Sequence, residues 1–352
     1  MKHRPTQIHI PTLVRNKPGA LDRIGIYLSR FHHRRTTLIL SQGLPEALVQ
    51  RAEQSLQNSN IDCVNRIEAD AASFEQACEL FQQQSSRTDA VIGLGGGKAL
   101  DVAKYVAFLG RVPYYAVPAS LSNDGFCSPQ SSLTIAGARR SLAAALPFGV
   151  VIDVDVCLQA PRQLWLSGVG DLMAKLTAVF DWKLAFHQQG EYVDDFAALL
   201  SDATVHQFMG RPEFDRDGTY LLGTALMLNG IAMEVCGSSR PASGSEHLLS
   251  HALDATSSRP RLHGLQVGMA TYIISRIQQN QSEAIAKVLE HTGFWEAIRS
   301  DPFSRQEWLT AAKMAPSIKK DFYTILSTVD PVQAIATVID GDERLSGCFT
   351  TP

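Results

Sequence analysis

The first part of the chain alternates short apolar runs with longer amphipathic segments. The apolar runs predict strands, and the spacing between them predicts helices. The predicted strands are Thr36–Leu40, 61–65, Ala90–Gly93, Tyr114–Val117 and Gly149–Asp153, and the predicted helices are Pro45–Leu56, Ser73–Gln83 and Ala99–Leu109. Strands that alternate with helices of about 10–15 residues indicate parallel βαβ units, whose ligands bind at the carboxyl ends of the strands.

The pattern changes after about residue 157. From Gln163 onward the apolar residues keep helical spacing, and strand patterns nearly vanish. The helical runs cover 192–208, 219–236, 245–255 and 264–279. This predicts an α/β nucleotide-binding domain of residues 1–157, with a Rossmann-like parallel sheet, followed by an all-helical domain of residues 158–352. The length of 352 residues agrees with two domains, because it exceeds what one hydrophobic core usually serves.

The composition narrows the class of protein. Hydrophobic residues make up 45% of the chain, charged residues 19%, and the net charge is -3. This balance gives no pull toward nucleic acid or an acidic membrane surface. The start of the chain has no apolar run typical of a secretion signal, and no apolar stretch approaches the roughly 18–20 residues of a membrane helix. The six cysteines are scattered without a CxxC pair, which is typical of reduced thiols. We therefore expect a cytoplasmic protein with no membrane span and no nucleic-acid partner.

A glycine cluster follows the predicted strand Ala90–Gly93. It contains Gly95, Gly96, Gly97 and Lys98, with Asp101 on the first turn of the following helix. Consecutive glycines let the backbone approach a ligand, and a helix N-terminus presents free N–H groups to a pyrophosphate. The spacing matches neither the GxGxxG fingerprint nor a P-loop. A plain glycine-rich turn explains the isolated string equally well, but the strand-then-helix context favours phosphate binding.

Three histidines and one aspartate have spacings that suit a metal site. His247 and His251 are four residues apart, on one helix face, and His263 follows a break at Pro260 where a second helix can start. Asp171 lies in a second glycine-rich segment, which we predict to be a turn at the start of a helix. One carboxylate and two imidazoles would leave an open position, as in catalytic zinc sites. The net charge of such a site would attract an anionic substrate and stabilise an alkoxide.

Each of these residues also has a simpler interpretation. A pair of histidines at this spacing is often one packed and one solvated side chain. An aspartate at the start of a helix often satisfies backbone N–H groups.

Five segments together resemble sn-glycerol-1-phosphate dehydrogenases. These segments are GLGGGKALDVAK, VPASLSNDGFCSP, SGVGDL, SSRPASGSEHLLSHALD and LHGLQ. They occur in the family's order between residues 93 and 266. The wider superfamily contains iron-containing alcohol dehydrogenases, glycerol dehydrogenases and dehydroquinate synthases. GSEH with SHALD and the SNDG loop is quite specific, whereas GGGK belongs to the whole superfamily.

The resemblance implies roles for individual residues. The metal ligands would be Asp171, His247 and His263, with zinc as the usual ion and Fe²⁺ or Ni²⁺ as alternatives. The coenzyme would be NAD or NADP, bound by Gly95, Gly96, Gly97, Lys98, Asp101, Pro118, Ser120 and Ser122. Asp124 would hold a substrate hydroxyl, and His251 would take part in proton transfer. Asp124 is also a good turn former within Asn-Asp-Gly, and His251 could simply pack.

Two basic residues are candidates for the substrate phosphate. Lys175 stands where some iron-dependent relatives have another ligating histidine. A protonated lysine cannot ligate, so it favours three protein ligands and would pair with a carboxylate or with the phosphate. Arg240 is our preferred phosphate anchor because a guanidinium grips phosphate bidentately. A loop arginine in a surface ion pair is an equally good interpretation.

The resemblance implies reduction of dihydroxyacetone phosphate to sn-glycerol 1-phosphate, and the reverse reaction. The metal would polarise the C2 carbonyl, and the nicotinamide would supply hydride. Ser41 follows the TTLIL strand where an acid would repel a 2′-phosphate, so NADH and NADPH are both permitted. The alternatives are a glycerol, polyol or alcohol dehydrogenase, a dehydroquinate-synthase-like cyclase, and a non-catalytic structural homologue. We expect a phosphorylated small-molecule substrate and a homo-oligomer, as is common in the superfamily.

Overall fold

The computed structural model describes residues 7–84 and 87–350. The first six residues, on which the expectation of no secretion signal partly depends, lie outside this range. The strands in the described range are β1 (Leu13–Lys17), β2 (Arg35–Ser41), β3 (Asp62–Ala69), β4 (Ala90–Gly95), β5 (Tyr114–Pro118), β6 (Gln130–Ile135), β7 (Ala138–Ala143), β8 (Gly149–Asp153), β9 (Phe303–Ser304) and β10 (Phe349–Thr350).

The helices of the described range concentrate in the second half of the chain. Those of the first half are α1 (Ile24–Ser29), α2 (Glu46–Asn58), α3 (Phe74–Gln83), α4 (Gly97–Gly110) and α5 (Val154–Gln159). Those of the second half are α6 (Arg162–Gln189), α7 (Asp195–Met209), α8 (Arg216–Cys236), α9 (Ser245–Thr256), α10 (His263–Gln278), α11 (Ser282–Thr292), α12 (Phe294–Ser300), α13 (Arg305–Met314) and α14 (Pro331–Gly341).

Six strands form one parallel sheet in the order β1-β8-β5-β4-β2-β3. The four central strands are almost wholly buried, as expected for a parallel sheet covered on both faces. All five predicted strands and all three predicted helices of this half are confirmed, with ends that differ by a few residues. The pattern missed β1 and the antiparallel hairpin β6–β7, because their sequences are largely polar and β7 is mostly exposed.

The helical half is built around α6, which packs against α7, α8, α9 and α10. A large apolar core lies between these helices and continues to the sheet through Val150 and Ile152. One described helix, α8, has the length and composition of a membrane span, but 61% of its most apolar window is buried inside the protein. All six cysteines are free thiols, as the sequence predicted.

The prediction that Asp171 lies in a glycine turn at the start of a helix was wrong. Gly168, Gly170 and Asp171 all lie within the 28-residue helix α6, which begins at Arg162. The glycines are required by packing rather than by a turn, since a Cβ atom on Gly170 would lie 2.1 Å from the carbonyl oxygen of Gly264. The missing side chains let α6 and α10 approach closely.

Candidate metal and coenzyme site

The glycine cluster lies where β4 meets α4, at the carboxyl edge of the sheet. Gly95 has a φ of +142°, and a Cβ atom there would lie 2.2 Å from the hydroxyl of Ser41 at the end of β2. That hydroxyl accepts a hydrogen bond from the Gly96 amide at 2.8 Å. Gly97 begins α4, so this N-terminus faces the position where parallel α/β sheets bind nucleotides. Lys98 is exposed beside it.

The other predicted coenzyme residues have different surroundings. Pro118 ends β5 opposite Gly95, and Ser120 follows it at the same edge of the sheet. The carbonyl of Ser122 accepts a hydrogen bond from Ser167 of α6 at 2.9 Å. Asp101 is buried, and its carboxylate lies 3.5 Å from the ammonium of Lys104. Its charge is therefore paired with a protein side chain and not directed at the proposed coenzyme.

Lys104 was missed at the sequence level, although it holds the loop that contains Asp124. Its buried ammonium donates hydrogen bonds to the carbonyls of Gly125 and Gln130, both at 2.7 Å. Burial lowers the pKa of Lys104, and the nearby Asp101 carboxylate opposes that shift. A single cation therefore fastens the loop after Asn123 to the coenzyme helix α4.

Asp171, His247 and His263 come together from three different helices. Each offers one ligand atom, and these three atoms all lie within 4.8 Å of one another. Asp171 Oδ1 is 3.4 Å from His247 Nε2 and 3.8 Å from His263 Nε2. This oxygen is buried and has no hydrogen-bond partner among the described residues. An orphaned carboxylate oxygen facing two imidazole nitrogens is a donor set that suits a divalent transition metal.

The far side of each imidazole has its own partner. His247 Nδ1 lies 2.9 Å from Glu246 Oε1, and His263 Nδ1 lies 3.2 Å from the hydroxyl of Ser250. Such contacts direct both Nε2 atoms toward Asp171, and the Glu246 carboxylate also raises the pKa of His247. Sequence analysis overlooked Glu246 and Ser250, although both adjoin motif histidines on α9.

Lys175 and Asp124 contact Asp171 of the same cluster. The buried Lys175 ammonium lies 2.8 Å from Asp124 Oδ2 and 3.4 Å from Asp171 Oδ2. Burial lowers the pKa of Lys175, but the two carboxylates outweigh it and the net shift is upward. The Asp124 amide also donates to Asp171 Oδ2 at 3.0 Å. The expected carboxylate pairing of Lys175 is thus present, and Asp171 is held from the side opposite its ligand atom.

The protonation states of the histidines are set by this charge distribution. Burial lowers the pKa of His247, but the carboxylates of Asp171 and Glu246 outweigh it and raise the pKa to about 9. Burial and the positive charge of His247 lower the pKa of His251 to about 4, so its ring is neutral at physiological pH. The His251 ring stacks on that of His263, with centroids 5.8 Å apart.

Arg139, which the sequence did not single out, also acts on this cluster. It lies on β7, and its Nε donates to the Ser132 hydroxyl at 2.6 Å. Its Nη atoms have no hydrogen-bond partner among residues 7–84 and 87–350, and the side chain is exposed. Its charge contributes to lowering the pKa values of both His251 and His263.

Arg240, our expected phosphate anchor, does not face an open site, because protein groups occupy its guanidinium. Its guanidinium is buried, donates to Glu191 through Nε at 2.9 Å and through Nη2, and donates to the carbonyl of Tyr323 at 2.8 Å. It also stacks over the ring of Phe322 at 3.7 Å. The alternative interpretation, an ion pair, is therefore the one observed, but the arginine is buried and its partner Glu191 is half-buried and distant in sequence.

Comparisons with known proteins identify the family of the chain. A family model described as iron-containing alcohol dehydrogenase matches residues 15–161. The chain is 38% identical over 273 residues to glycerol-1-phosphate dehydrogenase (NAD(P)+) of Metallosphaera sedula, covering 76% of this chain and 74% of that protein. It is 34% identical over 327 residues to the protein of the same name from Aeropyrum pernix, covering 91% and 93%. In fold it is similar to glycerol dehydrogenase from Schizosaccharomyces pombe, with a TM-score of 0.76, 17% identity and coverage of 98% and 92%.

Proposed function

The chain belongs to the glycerol-1-phosphate dehydrogenase family, and from this premise we propose that it reduces dihydroxyacetone phosphate to sn-glycerol 1-phosphate. It is an NAD(P)-dependent oxidoreductase that works with a bound metal. The observation that carries the proposal is the cluster of Asp171, His247 and His263, in a chain whose glycine loop lies at the carboxyl edge of the parallel sheet, where such sheets bind nucleotides.

We assign Asp171, His247 and His263 as the metal ligands, with zinc as the expected ion. A divalent ion at this position supplies Lewis-acid polarisation of a carbonyl, and the nicotinamide supplies the hydride. The protein's own part is to hold the ligands without a fourth side-chain donor. Lys175 is charged and pairs with Asp124, so it would not serve as a fourth ligand, and a metal held by the three side chains would be open to a substrate oxygen.

His251 is our candidate for proton transfer. Its pKa is lowered to about 4, so the ring is neutral, and a neutral imidazole can accept a proton at one nitrogen while it donates the N–H of the other. Asp124 is the candidate for orienting a substrate hydroxyl, since its carboxylate is fixed by Lys175 and its amide by Asp171. The residues Gly95, Gly96, Gly97, Lys98, Pro118, Ser120 and Ser122 are proposed to border the coenzyme.

For the substrate phosphate we propose Arg139 in place of Arg240. The guanidinium of Arg240 is occupied by Glu191 and Tyr323, and Lys175 is occupied by two carboxylates. Arg139 keeps donors available on an exposed side chain whose charge reaches His251 and His263. A phosphate dianion beside these imidazoles would gain a charge-assisted, bidentate contact.

A spectrophotometric assay tests the proposal. Oxidation of NADH and NADPH is followed with dihydroxyacetone phosphate, with unphosphorylated dihydroxyacetone, and with a chelator present. We expect rapid turnover of the phosphate ester, much slower turnover of dihydroxyacetone, and loss of both with chelator. Equal rates with both ketones would favour a glycerol dehydrogenase instead.

Three further properties belong to this proposal. We propose that the chain divides into a coenzyme domain of residues 1–157 and a metal and substrate domain of residues 158–352. We also propose a cytoplasmic location and a homo-oligomeric state. The substrate is a small molecule, in keeping with a dehydrogenase.

A further inference from the structure

Asp181 is a buried carboxylate on α6 that the site described above does not include. Its Oδ2 atom accepts hydrogen bonds from the amide and the hydroxyl of Ser245, at 2.8 and 2.7 Å. Its Oδ1 atom accepts from Gln278 Nε2 at 3.0 Å and from the Ile325 amide at 2.8 Å. The side chain is fully buried, and three of these hydrogen bonds, those from Ser245 and Gln278, are buried with it.

These partners belong to the helices that bear the metal-binding cluster. Ser245 is the first residue of α9, two positions before His247, and Gln278 is the last residue of α10, which begins at His263. Asp181 itself follows Asp171 along α6. One carboxylate thus links the three helices that contribute the carboxylate and the two imidazoles.

The N-terminus of α9 has a second carboxylate, Glu246, that also links α9 to α6. Glu246 accepts from the Gly244 amide at 2.6 Å and from the Thr177 hydroxyl of α6 at 2.9 Å, besides contacting His247. The helix dipole favours negative charge at this end. The position of α9 on α6 is therefore fixed by two buried carboxylates, Asp181 of α6 and Glu246 of α9.

We propose that Asp181 is a positioning residue that sets the metal affinity of the site by fixing α9 and α10 on α6. The proposal rests on the proposed function only in taking Asp171, His247 and His263 as the ligands. Metal ligands have to be held within about 0.5 Å of their working geometry, and a small shift of either helix would separate the Nε2 atoms. The carboxylate acts through these helices and does not touch the metal.

The test is the substitution Asp181→Asn in the full chain. Asparagine keeps the size of the side chain, but its NH2 group donates and would face two of the four donors. We expect the zinc dissociation constant, measured by competition with a chromophoric chelator, to rise about tenfold or more. The visible absorption spectrum of the Co²⁺-substituted variant should change as well, because the ligand geometry changes. The affinity for NADH, measured by fluorescence, should stay as in the wild type.

Asp153→Asn is the matched control. Asp153 is another buried carboxylate at a helix start, and it accepts hydrogen bonds from the amides of Gly19 and Leu21, both at 3.1 Å, and of Asp155 at 3.2 Å, none of which belongs to the ligand helices. This variant should lose stability with unchanged zinc affinity and Co²⁺ spectrum. If Asp181→Asn behaves in the same way, Asp181 is merely structural and the proposal is overturned.

Ser245→Ala keeps the proposal testable if Asp181→Asn does not fold. It removes one hydroxyl hydrogen bond from Asp181 and should raise the zinc dissociation constant about threefold. An unchanged constant in this soluble variant overturns the proposal. Failure of the wild type itself to bind zinc would instead refute the metal site of the proposed function, so the two failures are distinguishable.

Discussion

At the scale of single residues, metal binding depends on which side chains of the metal-free site are protonated. Asp171 has a lowered pKa: burial raises it, but the charge of Lys175 and the hydrogen bond and charge of His247 outweigh burial. His247 has the opposite shift, to about 9, so the metal-free site holds a proton on this ring at neutral pH. A metal that binds through Nε2 has to displace that proton.

Zinc affinity should therefore rise with pH. The folded pKa of His247 lies above the ordinary histidine value of 6.5, so the metal-free form gains stability from the proton at low pH and loses it as pH rises through about 9. Because zinc has to displace this proton, the affinity for zinc should increase about tenfold per pH unit up to about pH 9. Calorimetry in buffers of different ionisation enthalpy should show about one proton released per zinc. An affinity that is flat over this range would contradict the assigned charge state.

The phosphate contact makes a second prediction at this scale. Arg139→Gln should raise KM for dihydroxyacetone phosphate about tenfold or more, since it removes a charge-assisted contact. Turnover of unphosphorylated dihydroxyacetone should be unaffected. The adjacent Arg140→Gln is the matched control, because neighbouring residues of a strand face opposite sides. If both variants alter KM equally, or neither does, Arg139 is not the anchor.

At the scale of elements, the close approach of α6 and α10 brings Asp171 to His263. Gly170 and Gly264 permit it, since a Cβ atom on Gly264 would lie 1.8 Å from the carbonyl oxygen of Ser167. Local sequence patterns predicted the start of α10 at His263 correctly, because Pro260 gives a local break. They misplaced Asp171, because glycines that serve helix packing have the same local signature as glycines that form a turn.

Gly170→Ala should therefore damage the metal site from a distance. The added methyl group would meet Gly264 at 2.1 Å and force the two helices apart. We expect a loss of about 1–3 kcal/mol in the free energy of unfolding, measured by urea denaturation, together with weaker zinc binding. Gly341→Ala is the control, because this helical glycine faces open space and should tolerate a methyl group. Wild-type zinc affinity in Gly170→Ala would show that the helix spacing is not limiting.

At the scale of the whole molecule, the βαβ alternation was predictable because buried parallel strands are apolar runs bounded by turns. The partners of charged side chains could not be predicted from the sequence. Arg240 stands among small polar residues that suggest an open loop, yet it is buried against Glu191 and Phe322. Such pairings depend on how distant segments pack, and no local pattern encodes them.

The central claim is that three side chains from three helices hold one catalytic metal ion. The most direct measurement is the zinc content of wild type and of His263→Ala after equilibrium dialysis against buffered zinc, with NADH oxidation by dihydroxyacetone phosphate followed in the same samples. The account predicts one tightly held zinc per wild-type chain, and in the variant almost no zinc and almost no turnover. Full turnover by a zinc-free His263→Ala sample would contradict it.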